Sequence, residues 1–475
     1  MPPNRGEKND CPMNTTMRRL TTLLLLVAAL RLTGFSQKVQ LPPRTRHTLE
    51  NGLTVVLVEY KRVPLVYYRL VAHGGSADDP TGQEGLAAMA TALMRQGTAT
   101  RSAPQIAEAI DFIGGSLSAA AGLEYCAVQA EVLTKDTDTG LDLFSDVILH
   151  PTFPQDELER ERKQRLAFLE SMKEDPATVA SMAFTKGVYQ GHPYGIQTVG
   201  TKASIGVISR DNLDEFHRRI FVPNNCVLVV VGDFQSSELL GKIRQTFGGW
   251  QAGTAHQVTL PAPRMLTGRH VLLVDKPDAT QIQIVAGNIG IDIKHPDAFA
   301  VKVANTVLGV GFTSRLMEAL RVKRSLTYGV ASSFPSNLFG GTYVISTYTK
   351  NESVKEMLDA MLGEVKKFRD QGATRDEVKK AQNFLAGSFA RGLQTPEALA
   401  TRLTDTEIYG FSDDYVETYI ERLRAVSLDD VRRVAREHFP LDDLLLVLVA
   451  PVEQVRAIAG QYGEVSVTEI QDVIR

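Results

Sequence analysis

The order of elements between His47 and Val231 recurs between Val271 and Val449, and this duplication limits the fold more than any other feature. In the first half, His47–Val58 and Leu65–Ala72 alternate as strands. Helical patterns follow at Ala103–Ile113, Thr137–Leu149 and Asp156–Met172, with a hairpin at Ser116–Leu133. A helix at Ser209–Ile220 and a continuous apolar strand at Cys226–Val231 close the half. The second half repeats this with strands at Val271–Asp275, Gln281–Ala286 and Tyr343–Tyr348, and helices at Asp297–Leu308, Val354–Arg369, Thr374–Arg391 and Ser427–His438. It ends on the apolar strand Leu444–Val449. Leu133-Thr134-Lys135-Asp136 corresponds to Tyr348-Thr349-Lys350-Asn351, and Phe221 to Phe439. A period of roughly 215–220 residues means duplicated domains, because solenoid units run only about 20–50 residues.

Strands mixed with helices, without strict βαβ alternation, predict an α+β fold with an antiparallel sheet in each half. Trp250–Arg269 is rich in Gly, Ala, Pro and Thr and lacks periodicity, so it reads as the joint. The expected organisation is an N-terminal extension and signal segment at 1–36, a first domain at 37–249, a linker at 250–269 and a second domain at 270–475.

The N-terminus reads as a targeting signal. Met17-Arg18-Arg19 is basic, Leu20–Leu30 is apolar, and Gly34-Phe35-Ser36 offers small residues before a cut ahead of Gln37. The apolar run is too short for a span of about 20 residues, and Arg31 follows it directly. The mature chain is therefore expected to be exported, periplasmic or secreted, without stable membrane insertion. The net charge of −3 supplies no basic surface for nucleic acid. Of three Cys, Cys126 and Cys226 lie in apolar strand-like runs. Each reads as a small buried hydrophobe, with a disulfide between them left open.

Within the first half, Gly74-Gly75 and the turn Asp78-Asp79-Pro80 lead into Gly85-Leu86-Ala87, and a helix follows that ends at Gly97-Thr98. Glu161-Arg162 lies on the later helix Asp156–Met172. This frame resembles the pitrilysin/insulinase metallopeptidases, the inverzincins. In that family the first helix carries His-x-x-Glu-His, two zinc ligands and a general base, and the later helix gives a third ligand, Glu. Those four positions are Ala88, Thr91, Ala92 and Phe168 here. Catalytic zinc needs three protein ligands and an open position, so the resemblance implies a degenerate site, with no metal or cofactor in this chain. Phe168 is expected to fill the space that metal and water occupy elsewhere. The charged run Asp156–Arg165 reads as a solvated helix face.

The second half holds Ser314-Arg315-Leu316, then Leu320-Arg321 and, seven residues on, Tyr328-Gly329. This looks like the family's Arg/Tyr pair, which reaches the substrate at the zinc: Arg as a fixed charged fork, Tyr as a hydroxyl donor toward the oxyanion. Taken alone, Arg321 would be a solvated helix residue and Tyr328 a half-buried strand residue. Gly309 and Gly311 match a glycine-rich loop that contacts peptide in the family, and also suit a plain turn between helices. His192-Pro193-Tyr194-Gly195 and Asp275-Lys276-Pro277 match family segments and read as structural.

Some family members split the work between a zinc-bearing chain and a chain with the Arg/Tyr pair. The resemblance implies the second kind: a zinc-free subunit that lends Arg321 and Tyr328 to a homologous partner carrying His-x-x-Glu-His, with zinc in the partner and an extended peptide as substrate. The alternative is a structural or peptide-binding scaffold without a peptidase role.

Overall fold

The computed structural model describes residues 39–256 and 259–474; the signal segment lies outside them. Among the described residues, six strands come from each half. The first sheet has β1 (Arg44–Thr48), β2 (Thr54–Glu59), β3 (Leu65–His73), β4 (Ser116–Ala121), β5 (Tyr125–Leu133) and β6 (Cys226–Gly232), in the order β1-β2-β6-β3-β5-β4. The second has β7 (Arg269–Asp275), β8 (Gln281–Ile289), β9 (Val330–Ser333), β10 (Thr342–Lys350), β11 (Leu444–Ala450) and β12 (Glu464–Glu469), in the order β12-β7-β11-β8-β10-β9. Five of the six positions, from β2 and β7 to the edge strands β4 and β9, correspond one to one, as the repeat requires. The outer strand differs: β1 comes from the start of its half, β12 from the end.

The sheets are mixed, which corrects the expectation of purely antiparallel ones. β6 inserts between β2 and β3, parallel to the first and antiparallel to the second. β11 does the same between β7 and β8. These strands are CVLVVVG and LLLVLVA, buried at every residue, because both faces of each sheet are covered.

The helices of the first half are α1 (Leu86–Leu93), α2 (Ala103–Phe112), α3 (Thr137–Leu149), α4 (Gln155–Met172), α5 (Pro176–Tyr189), α6 (Lys202–Val207), α7 (Arg210–Ile220) and α8 (Ser236–Phe247). Those of the second are α9 (Ala298–Gly309), α10 (Val354–Gln371), α11 (Arg375–Arg391), α12 (Pro396–Ile408), α13 (Tyr415–Ala425), α14 (Leu428–Glu437), α15 (Val452–Ala459) and α16 (Ile470–Ile474). One face of each sheet packs on helices of its own half. The other face takes a helix from the opposite half. α5 lies on β8 and β11, burying Phe184 and Val188 against the second sheet; α12 lies on β3 and β6 with Leu399 and Leu403. Each such side chain contributes about 1.5–3 kcal/mol when fully buried, so the reciprocal exchange ties the halves into one packed body.

Ala72 on β3 pairs with Cys126 on one side and Cys226 on the other. The two thiols are therefore two strand spacings apart, about 9–10 Å, beyond the roughly 7 Å reach of a disulfide. Both are free and buried, and burial pushes the Cys126 thiol up to about 12. No described helix is long and apolar enough to cross a membrane.

Candidate functional site

The degenerate centre is built on α1. Gly85 starts the helix at φ 94°, and an added Cβ would meet Gly200 Cα and Val199 O at 2.9 Å, so glycine is required there. Asp79 accepts from Gly85 N at 2.7 Å and Ala87 N at 2.8 Å, satisfying two orphan donors of the first turn. Burial pushes its carboxyl up to about 7 although both N–H bonds pull the other way.

Ala88 and Ala92 share the half-exposed face of α1, as ligands at this spacing would. A methyl group offers no donor to a metal. Thr91 is 0 % exposed and lies against the buried Cys126 thiol. The general-base position is thus sealed in the core. Phe168 on α4 is 55 % exposed; it fills no metal-sized space, contrary to the sequence expectation. A different residue crowds the centre. Arg165 donates from Nη2 to Ala88 O at 3.0 Å and pairs with Glu161 at 2.7 Å, so a cation spans α4 and the ligand face of α1. Arg162 likewise turns inward, to the carbonyls of Ile205 and Ile208. The run Asp156–Arg165 is therefore not a wholly solvated face. These residues do not fit zinc.

Among the described residues, one trio could bring three ligand atoms together: His295, Asp297 and His438. The Arg433 guanidinium already grips both Asp297 oxygens, at 2.5 and 3.0 Å, and His438 adds a bond at 3.0 Å. Arg433, then His438, hold the Asp297 carboxyl well below the usual range. The trio joins α14 to the start of α9 as an ion-pair cluster.

The Arg/Tyr segment follows α9. Gly309 ends that helix where an added Cβ would lie 2.2 Å from Ser332 Oγ and 2.6 Å from Ser332 N; close packing on β9 explains it. Gly311 has φ 81° with open space around it, the left-handed turn before Phe312. Neither glycine lines the cleft described next. Ser314 Oγ donates to Gly311 O at 2.8 Å. Arg315 forks onto Glu377 at 2.7 and 2.8 Å and donates to Gly372 O at 2.9 Å, anchoring the segment to α11. Met317–Val322 then winds as a π-helix, with Lys323 N donating to Glu318 O at 3.0 Å. Met317, Ala319 and Leu320 face the core. Arg321 faces away, over the exposed Phe312 ring at 5.3 Å.

Ser325 adopts φ 55°, rare for a residue with a side chain. Thr327 Oγ1 and Thr347 Oγ1 each donate to Gly329 O at 2.9 Å, fixing the backbone around Tyr328. Tyr328 itself is 79 % exposed, and its hydroxyl makes no hydrogen bond among the described residues. It is thus not the half-buried strand residue of the plain reading. Arg321 and Tyr328 line one cleft of ≈ 530 Å³, with Arg324, Tyr348, Lys350 and Glu356. Tyr348 also borders a groove of ≈ 690 Å³ between α5 and strands β8 to β10. π-turns and strained backbone gather at functional sites, and here both flank the half-buried Arg321 cation and the exposed Tyr328 hydroxyl.

Phe312, Tyr348 and Lys350 were not picked out as site residues. The only signal was the repeated Tyr348-Thr349-Lys350 segment. Tyr194 is buried and donates to Glu124, and Asp275 Oδ1 accepts from Val452 N at 3.1 Å; both segments are structural here.

The comparisons agree with this fold. Residues 54–202 match the family described as Insulinase (Peptidase family M16), and residues 208–385 match the Peptidase M16 inactive domain. The chain belongs to the M16, or insulinase, peptidase family. It is 25 % identical over 413 residues to the uncharacterized zinc protease YmxG of Bacillus subtilis, covering 86 % of this chain and 98 % of that one. It is 26 % identical over 405 residues to the non-peptidase homolog YmxG of Helicobacter pylori, covering 83 % and 91 %. A crystal structure of a peptidase M16 inactive domain from Pseudomonas fluorescens superposes with TM-score 0.81 at 27 % identity, covering 86 % of this chain and 98 % of that one. A protease structure from Helicobacter pylori, at TM-score 0.78 and 21 % identity, covering 86 % and 100 %, shares the fold.

Proposed function

We propose that this chain is the zinc-free subunit of an exported two-chain M16 metallopeptidase, supplying Arg321 and Tyr328 to the zinc site of a homologous partner that carries His-x-x-Glu-His. One observation carries this reading. Tyr328 is 79 % exposed on a pinned, strained segment and shares a cleft with Arg321, while its hydroxyl serves no bond of the fold. Folding alone gives no reason to hold these two groups in this way. The centre on α1, with Ala88, Thr91, Ala92 and the Arg165 cation, cannot supply the metal-dependent half of the reaction itself.

In the assembled enzyme the Arg321 fork would grip a substrate carbonyl or carboxylate, and the Tyr328 hydroxyl would donate to the oxyanion of the tetrahedral intermediate. The groove beside Tyr348 continues from this cleft and offers an extended peptide a path between α5 and β9. The test is reconstitution. This chain alone should cleave no peptide, and mixing it with its His-x-x-Glu-His homologue should switch proteolysis on. Chelator-sensitive hydrolysis by the lone chain would overturn the reading.

A further inference from the structure

A second cavity, of ≈ 490 Å³, lies between α9, α12, α13 and residues 332–336, and shares no lining residue with the Arg321/Tyr328 cleft. Its size falls within the roughly 300–1,000 Å³ of small-molecule sites. Phe334, Phe389, Tyr415 and Tyr419 make its walls aromatic. Three charged side chains line it, and one is hydrogen-bonded: Lys302 Nζ donates to Tyr419 OH at 2.7 Å.

The other two, Arg402 and Asp405, are three residues apart on α12. That spacing places them on one helix face, where opposite charges normally pair. They do not pair here. The Arg402 guanidinium lies over the Phe389 ring at 5.7 Å. The Asp405 carboxylate has no hydrogen-bond partner among the described residues and feels Arg402 and Arg69 only through space. Burial, the largest influence, raises its carboxyl above the usual range. A half-buried acid without a donor is costly, and a ligand bringing its own ammonium would remove that cost.

We propose that this cavity binds a zwitterionic α-amino acid with an aromatic side chain, its ammonium on Asp405, its carboxylate on Arg402 and its ring among the aromatic walls. The ligand must carry both charges on a short frame, which separates a free amino acid from the N-terminal residue of a peptide. Phenylalaninamide stands for the latter, since it keeps the ammonium and lacks the carboxylate.

Titration calorimetry on the whole chain tests this with L-phenylalanine, L-phenylalaninamide and 3-phenylpropionate. L-Phenylalanine should bind saturably, and each analogue about tenfold or more weakly, the usual cost of a lost charged hydrogen bond. Asp405→Asn and Arg402→Gln should each weaken L-phenylalanine to a similar degree, with circular dichroism confirming the fold. Arg402 is exposed, so Arg402→Gln decides alone if Asp405→Asn does not fold. No saturable binding of L-phenylalanine up to about 10 mM, beyond the weak end of specific recognition, overturns the proposal. So does amide or phenylpropionate binding equal to that of the amino acid.

Discussion

Restoring a metal site on α1 should require a fifth change besides the four expected from the motif. Ala88→His, Ala92→His and Phe168→Glu would supply three ligands, yet Arg165 holds its guanidinium 3.0 Å from Ala88 O, on the face those ligands would use. Coulomb's law sets the scale of the repulsion if a metal held by a His at 88 lies about 7 Å from that cation. At an effective dielectric of about 20–40, a unit charge repels a divalent ion at that range by roughly 2–5 kcal/mol. Adding Arg165→Leu should therefore tighten zinc binding at least about tenfold, after allowance for the lost Glu161 pair. Phe168 is 55 % exposed, so its removal opens no cavity and matters only for the carboxylate it brings. Thr91→Glu belongs in a separate variant. Thr91 is 0 % exposed, and an acid there meets a desolvation cost of a few kcal/mol. Zinc titration against a chromophoric chelator, with and without Arg165→Leu, gives the comparison. Equal affinities would show that Arg165 does not guard the site.

Gly309→Ala puts a Cβ 2.2 Å from Ser332 Oγ and 2.6 Å from its backbone nitrogen. Overpacking of about 1–3 kcal/mol outweighs a helix-propensity gain of at most about 1, so denaturant melts should show a net loss. Unchanged stability would return Gly309 to the peptide-contact reading. Asp297→Asn should cost about 1 kcal/mol at neutral pH, a value discounted because Arg433 is 43 % exposed. The native Asp297 carboxyl is depressed by Arg433, so its contribution is full above the unfolded pKa of about 4 and fades as pH falls below it. A stability gap that persisted unchanged at pH 3 would contradict the ion-pair account.

The frame of both halves was legible because their strands and outer helices carry one-sided or continuous apolar patterns. The loss of ligand residues on α1 could be read from the motif frame, and Arg321 and Tyr328 were singled out as candidates by their spacing from Ser314-Arg315-Leu316. The exchange of α5 and α12 was not. α5 buries Val179, Ala180, Met182, Ala183, Phe184, Val188 and Tyr189, on more than one face, because it is sandwiched between the halves. Such a helix shows no clean stripe. The insertion of β6 and β11 depends on long-range pairing that local pattern cannot carry. Arg165 was hidden for another reason: an Arg in a charged run looks solvated, and its inward turn depends on the neighbouring helix. The free Asp405 was equally invisible, since its i, i+3 Arg partner promises an ion pair the cavity geometry withholds.

The most direct test of the central claim is turnover of the reconstituted pair with wild-type chain, Tyr328→Phe and Arg321→Ala. Loss of one oxyanion donor typically lowers kcat by about 10²–10³, and Tyr328→Phe removes only a hydroxyl that is unused in the fold. The account predicts a drop of that order for Tyr328→Phe, and a fall in kcat with a rise in KM for Arg321→Ala, while the complex still assembles. Activities within about twofold of wild type for both variants, far below the cost of a lost donor, would contradict it.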